Sequence, residues 1–167
     1  MSRKIPVDVL EVLVSGVRVT PGPGLRERVL KSAVKPGWEP WRGRVAALWD
    51  LDEERVQEEF DRSGRGDEWS ATPFPGVMAF HLGGGPATAG ADVGLVRIPA
   101  GFGFPLHTHS GTEEYVVLQG TMRFVDGHRE GPGDRVRNDG TVSHAYTAEG
   151  EVVVAAVVRG ELVPGWG

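Results

Sequence analysis

Two histidines and a carboxylate form the segment best suited to chemistry: His107-Thr-His109, with Glu113 four residues after the second histidine. Residues two apart on a strand point to one face, so both imidazoles would leave the same face, and Glu113 would return on the next strand after a turn. This convergence predicts a metal site. Burying imidazole and carboxylate groups without partners costs free energy, and a bound divalent cation offsets most of that cost.

The donor set of this site limits the metal. The chain has no cysteine, so thiolate ligands, disulfides and cysteine nucleophiles are excluded, and nitrogen and oxygen must hold the ion. Imidazole and carboxylate suit zinc, iron, manganese, nickel or copper. We expect one divalent metal ion, zinc first, with iron, manganese or nickel as alternatives.

The wider segment resembles the first motif of the cupin superfamily, which runs here from Gly101 through the three predicted ligands to Gly120. The second cupin motif adds a histidine after a glycine, and Gly133 and His144 stand at its spacing. The family pattern has Pro, Gly and Asn where this sequence has Asp139, Thr141 and Ala148. The resemblance implies that His144 completes the metal site with His107, His109 and Glu113.

Four further side chains are candidates for lining a substrate cavity, with plain core packing as the alternative for each. They share the strand parity of a ligand, or lie on a neighbouring strand: Tyr115, Met122, Phe124 and Tyr146. Glu114 is one position out of phase and should point away from the metal. His81 and His128 lack ligand spacing and receive no role. We see no inward-facing general acid or base beside the ligands, so catalytic residues stay unassigned.

Short apolar runs separated by turns fill the chain from Val77 onward, which predicts an all-β barrel or sandwich. The predicted strands are Val77–Leu82, Asp92–Ile98, Glu114–Leu118, Thr121–Val125, Asp134–Arg137 and Val152–Val158. Asp126-Gly127 predicts a two-residue hairpin with positive φ at both positions. The cupin resemblance implies a double-stranded β-helix, the jelly-roll barrel.

The preceding part of the chain has helical patterns. We expect a short helix over Leu25–Val34, another over Val45–Trp49, and a third through Phe60 opened by Asp50 with Glu53 three residues on. Half of a helix-turn-helix is the alternative to a helical cap, but the third helix is acidic and would repel phosphate. We therefore predict a helical extension and linker over 1–76 and a cupin barrel over 77–167.

Composition narrows the class of protein. The 167 residues suit one domain with a sizeable core, and a net charge of −5 argues against direct nucleic-acid binding. No stretch approaches the roughly 18 apolar residues of a membrane span. We expect a cytoplasmic protein with no membrane contact. A homodimer is also expected, because cupin barrels commonly pair through their edge strands.

The Pro-Gly-Leu-Arg-Glu-Arg-Val-Leu segment ahead of the barrel is similar to that of ChrR-type anti-sigma factors. That resemblance implies a sensing or regulatory module, with a sigma factor as a possible protein partner. The Cys and His residues of the sigma-binding zinc site of that family are missing before His81. The alternative is a small metal-dependent enzyme, a dioxygenase or isomerase that acts on a small organic molecule.

Overall fold

The computed structural model describes residues 37–164. The helix expected over Leu25–Val34 lies outside these residues. The described part has two α-helices, α1 (Arg42–Trp49) and α2 (Glu53–Ser63), and two short 3-10 turns, Glu39–Trp41 and Pro86–Thr88. Its strands are β1 (Ser70–Ala71), β2 (Met78–His81), β3 (Asp92–Ile98), β4 (Gly103–His109), β5 (Glu113–Phe124), β6 (Arg129–Glu130), β7 (Arg135–Asn138), β8 (His144–Val158) and β9 (Leu162–Pro164). Neither described helix is long and apolar enough to cross a membrane.

Strand β8 organises the sheet. The hydrogen-bonded order is β1-β2-β3-β8-β4-β9, and β5 pairs with β6, β7 and β8. All of these pairings are antiparallel. Because β8 is 15 residues long, one half pairs with β3 and the other half reaches β4. The all-β architecture expected from the turn-rich sequence is confirmed.

Alternate residues of β5 and β8 supply two different cores. Val116 and Leu118 pack with Val153, Ala155 and Val157 on one face. The intervening residues of the same strands face the other way into a second cluster: Tyr115, Val117, Val152, Val154 and Ala156. Strands buried on both faces read as continuous apolar runs, which explains the Val-Val-Val-Ala-Ala-Val-Val sequence of β8.

The first of these faces is covered by the two helices. Val56 and Phe60 of α2 are fully buried there beside Trp49 of α1. The Trp49 indole packs edge-on against Phe60 at 6.2 Å and donates a hydrogen bond to the Ala156 carbonyl at 3.2 Å. Both helices are therefore packed onto the sheet through buried apolar side chains.

The expected helix cap is wrong. Asp52, not Asp50, caps α2, and its side chain accepts a hydrogen bond from the Arg55 backbone N–H at 2.7 Å. Asp50 instead ends α1 in a left-handed conformation with φ of 55° and accepts from the Ala87 N–H at 2.7 Å. The junction needs a residue that tolerates positive φ, and aspartate does so better than most.

The predicted hairpin has a different turn. Gly127 has positive φ whereas Asp126 does not, and the Gly127 N–H bonds the Phe124 carbonyl at 3.1 Å. The Phe124 N–H accordingly reaches the His128 carbonyl at 2.9 Å, which makes Val125, Asp126 and Gly127 a three-residue loop. A type I turn followed by a left-handed glycine produces this geometry.

Strands β5 and β8 are longer than predicted. Gln119 and Gly120, which lie between two of the predicted strands, form a bulge inside β5, where the pairing with β8 shifts register. Strand β8 begins at His144 instead of Val152, because the polar stretch before Glu151 also pairs, with β5. The division at residue 76 between extension and barrel stays a prediction.

Candidate metal centre

Three histidines meet where β4 and β8 lie side by side. His107 and His109 alternate on β4 and leave one face, and the pairing places His144 directly opposite His107. Their ligand nitrogens all lie within 4.8 Å of one another. His107 is 2% exposed, His109 is 6% exposed, and the side chain of His144 is 9% exposed. The fold therefore brings three buried imidazoles to one point.

Glu113 borders this cluster from the start of β5. Its Oε1 lies 3.5 Å from Nε2 of His109, and its Oε2 lies 3.5 Å from Nε2 of His144. The Asn138 side-chain amide on β7 donates to Oε2 at 3.1 Å. The structure thus brings the four residues predicted as ligands together, and Asn138 orients the carboxylate.

The hydrogen bonds of the imidazoles suit a metal ion. Nδ1 of His107 lies 2.8 Å from the Pro105 carbonyl, so this nitrogen carries the proton and Nε2 keeps its lone pair. Both ring nitrogens of His109 and Nδ1 of His144 are buried without a hydrogen-bond partner. A buried polar atom without a partner costs about 1–3 kcal/mol, and a cation held by one nitrogen of each ring would remove part of that cost.

The protonation state of His107 also favours metal binding. Burial lowers the pKa of His107, more than the hydrogen bond to the Pro105 carbonyl raises it. The neighbouring His144 lowers this pKa further. Only the neutral imidazole can bind a metal, so the lowered pKa keeps His107 in the form that a divalent ion requires.

Residues 65–163 match the family described as the ChrR cupin-like domain, which is more than half of the chain. The chain belongs to this family. It also resembles the dimethylsulfoniopropionate lyase DddQ of Ruegeria pomeroyi, with 36% identity over 85 residues that cover 47% of this chain and 42% of the relative. The chain therefore matches less than half of that protein's length.

Solved structures support the cupin fold. The complex of Rhodobacter sphaeroides SigE with the anti-sigma ChrR aligns with a TM-score of 0.54 and 23% identity, over 90% of this chain and 72% of that chain. The polyketide cyclase RemF of Streptomyces resistomycificus aligns with a TM-score of 0.51 and 19% identity, over 62% of this chain and 83% of that chain. The expected cupin jelly roll with a helical N-terminal part is confirmed.

The four predicted cavity residues all belong to the interior cluster of the cupin domain. Tyr115 and Met122 are buried, and Phe124 and Tyr146 are partly buried beside them. Tyr146 packs on Phe124 with ring centroids 5.6 Å apart. Their places are consistent with a cavity lining and with core packing alike, so their substrate-binding role stays a prediction.

Phe104 is a site neighbour that the sequence reasoning missed. Its ring centroid lies 4.8 Å from that of His107 and 5.3 Å from that of Tyr146, on which it stacks. Phe104 and His107 are three positions apart, so regular alternation would place them on opposite faces. A register shift between them brings both side chains to the interior. A bulge of this kind leaves no clear signal in the sequence.

Glu130 is the second missed residue, and it corrects the expectation that no acid or base other than the ligands faces inward. It is 7% exposed and its Oε2 accepts a hydrogen bond of 2.5 Å from the Tyr115 hydroxyl. Burial raises the pKa of Glu130, although the Tyr115 hydrogen bond lowers it in part. Burial and the Glu130 acceptor raise the pKa of Tyr115 as well.

Glu114 and His81, which were expected to have no role in the site, lie away from the metal centre. Glu114 points to the other face of β5, as its phase predicted, and pairs with Arg135 at 3.2 Å and Arg137 at 3.1 Å. His81 is exposed and lies 2.8 Å from Asp92. Glu114 and His81 therefore take no part in the cluster.

Proposed function

We propose that this cupin domain binds one divalent metal ion through His107, His109, Glu113 and His144, and uses it in a ChrR-like sensing or regulatory module. Zinc is the first expectation, with iron, manganese or nickel as alternatives. The observation that carries the proposal is the cluster of buried imidazole nitrogens, three of which have no hydrogen-bond partner. A bound cation supplies Lewis acidity and open positions for a small-molecule ligand.

Contacts between the barrel and α1 support the regulatory part. Arg44 donates to the carbonyl of Gly133, in the turn between β6 and β7. The Trp41 ring lies so close to this turn that a Cβ added at Gly133 would come within 2.5 Å of Cζ3. The same segment continues through β7 to Asn138, which holds Glu113. A change at the metal site could therefore reach α1 through these two hydrogen bonds and the short chain segment between them.

The partner of such a module would be a protein. Likeness to ChrR, solved in complex with SigE, supports a partner of the sigma-factor class. Such a partner would place this chain in the cytoplasm. The chain has no cysteine, so contact with that partner would use residues other than a cysteine-bound zinc site.

Elemental analysis of protein purified without chelator or nickel resin tests metal binding. We expect about one equivalent of metal in the wild type and a large loss in the His107→Ala, His109→Ala double variant. His81→Ala is the matched control, because His81 is exposed, pairs with Asp92 and is not part of the cluster. Wild-type protein that stays metal-free after reconstitution would refute the proposal.

An enzyme is the second candidate, favoured by the inward Tyr115–Glu130 pair. Likeness to DddQ makes dimethylsulfoniopropionate the first compound to assay, by following its consumption. A dioxygenase would instead consume oxygen with an iron-loaded protein, and an isomerase would do neither. Turnover that requires His109 and Glu130 would support the enzyme, and ligand binding without turnover would support the sensor.

We also propose a homodimer that pairs through an edge of the sheet. Strands β1 and β9 are the two ends of the main strand order, and Val163 of β9 and Leu106 of the adjacent β4 are exposed apolar side chains. Analytical sedimentation of the wild type should give twice the chain mass. Val163→Lys should give the single mass, and a monomeric wild type at high micromolar concentration would remove this proposal.

A further inference from the structure

Glu130 is a buried carboxyl group that the metal site does not use. It lies on β6, opposite Met122 of β5, which is 2% exposed. Taking a carboxylate out of water is costly unless a counter-charge or hydrogen bonds replace the lost hydration. The neighbouring Arg129 does not serve this purpose, since it turns to Glu149 on the outside at 3.1 Å.

The two oxygens of Glu130 have different partners. Oε2 accepts from the Tyr115 hydroxyl, whose side chain leaves the same face of β5 as Glu113. Oε1 lies 3.4 Å from Nε2 of His128, and the side chain of His128 is 59% exposed. One oxygen therefore faces the barrel interior, and the other leads to solvent through an imidazole.

We propose that Glu130 holds a proton inside the barrel and exchanges it with solvent through His128, while Tyr115 is a positioning residue that fixes the carboxyl group. In the inward direction, a doubly protonated His128 gives its Nε2 proton to the Glu130 carboxylate, so that the N–H bond breaks as the O–H bond forms, and the neutral imidazole then takes up a proton from solvent. No electrons are gained or lost and no other co-reactant is needed. Histidine suits this step because its ordinary pKa lies near neutrality.

The electrostatic surroundings agree with a proton-holding role. Burial raises the pKa of Glu130, and the nearby Asp134 raises it further, whereas Tyr115 and His128 lower it in part. Glu130 therefore keeps its proton to a higher pH than an exposed glutamate does. In a cupin that binds a small molecule, this group would supply the interior acid or base. That use rests on the proposed function, but the exchange itself does not require the metal.

The direct test is a pH titration of the glutamate carboxyl carbons by NMR on ¹³C-labelled full-length protein, with and without zinc. Loss of one signal in Glu130→Gln identifies the residue. Glu149 is the internal reference, because its hydrogen bond from Arg129 lowers its pKa. We expect the Glu130 midpoint to lie above that of Glu149 and above that of free glutamate. A Glu130 midpoint at or below that of free glutamate would overturn the proposal.

Two substitutions test the partners. Tyr115→Phe and His128→Gln each remove a group that lowers the pKa of Glu130, so each should raise its midpoint, whereas His81→Gln should not. The infrared carbonyl band of protonated Glu130 shifts when its proton is replaced by deuterium. After mixing with D₂O this shift should be several-fold slower in His128→Gln. An unchanged rate would exclude His128 as the route. Absence of zinc binding alone would refute the metal site and leave this result standing.

Discussion

Asn138 should control metal affinity through a single hydrogen bond. Its amide donates to Oε2 of Glu113 at 3.1 Å, and that same oxygen lies 3.5 Å from His144. Without the amide, the carboxylate is free to rotate away from the cluster. A hydrogen bond to a charged acceptor is worth about 1.5–3 kcal/mol, and loss of a residue that orients a metal ligand costs about 10–100-fold in affinity. These two estimates agree, because tenfold corresponds to about 1.4 kcal/mol.

The assay is a zinc competition titration against a chromophoric chelator, with Asn138→Ala beside Arg137→Ala. Arg137 is the matched control, since it lies on the same strand but pairs with Glu114 on the opposite face. We expect weaker zinc binding in Asn138→Ala and wild-type binding in Arg137→Ala. Equal affinities in the two variants would mean that Glu113 is held by other contacts or does not bind the metal. Either result would refute control of zinc affinity by Asn138.

Three further predictions concern packing, backbone conformation and charge. Trp49→Ala should lower the free energy of unfolding by about 3–5 kcal/mol, measured by urea denaturation, because Trp49 is fully buried. Gly120→Ala should cost more than Gly127→Ala in the same measurement. Both glycines have positive φ, and a side chain in that conformation costs about 1–2 kcal/mol at either position. Only at Gly120 would the new Cβ also clash with a backbone oxygen, that of Glu151 at 2.4 Å. Glu130→Gln should flatten the pH dependence of the free energy of unfolding. Because folding raises the pKa of Glu130, the wild type loses stability as the pH rises from about 4.3, the pKa of a free glutamate, through the pKa of Glu130 in the folded protein. A steeper loss in the variant would contradict that sign.

The histidine site was predictable because it depends on short-range spacing. His107 and His109 are two residues apart, and strand geometry alone places them on one face. The strand Asp92–Ile98 was also predicted with the bounds that the structure gives, since its apolar pattern is bounded by turns. Strand β8, which carries His144, could not be predicted in the same way. The residues around His144 are polar and do not have the pattern of a strand, so only the family motif identified this ligand.

The missed features depend on contacts between distant segments or on local irregularities. Glu130 follows a hairpin in a polar stretch and lies on a strand of two residues, too short for any periodicity. Its hydrogen-bond donor is Tyr115, 15 residues earlier, which only the folded sheet brings near. Phe104 reaches the site through a bulge that reverses the expected alternation. Patterns with a fixed period do not capture either case.

Three of the hydrogen bonds made by the segment from Glu130 to Asn138 constrain the proposed sensor. Its first residue bonds Tyr115 in the interior, Gly133 bonds Arg44 of α1, and its last residue bonds Glu113. If metal binding tightens this segment, it must stabilise the docking of α1, and linkage requires that docking strengthen metal binding by the same factor.

Arg44→Ala should therefore weaken zinc binding, by no more than the factor by which zinc slows amide hydrogen exchange in α1, because Trp49 still holds the helix on the sheet. The two measurements are independent, and the exchange experiment uses the wild type alone. Reduced affinity in Arg44→Ala without any zinc-dependent protection of α1 would contradict this limit. The helix would then act on the site by some other route, and the barrel would lack the output that a sensing role needs.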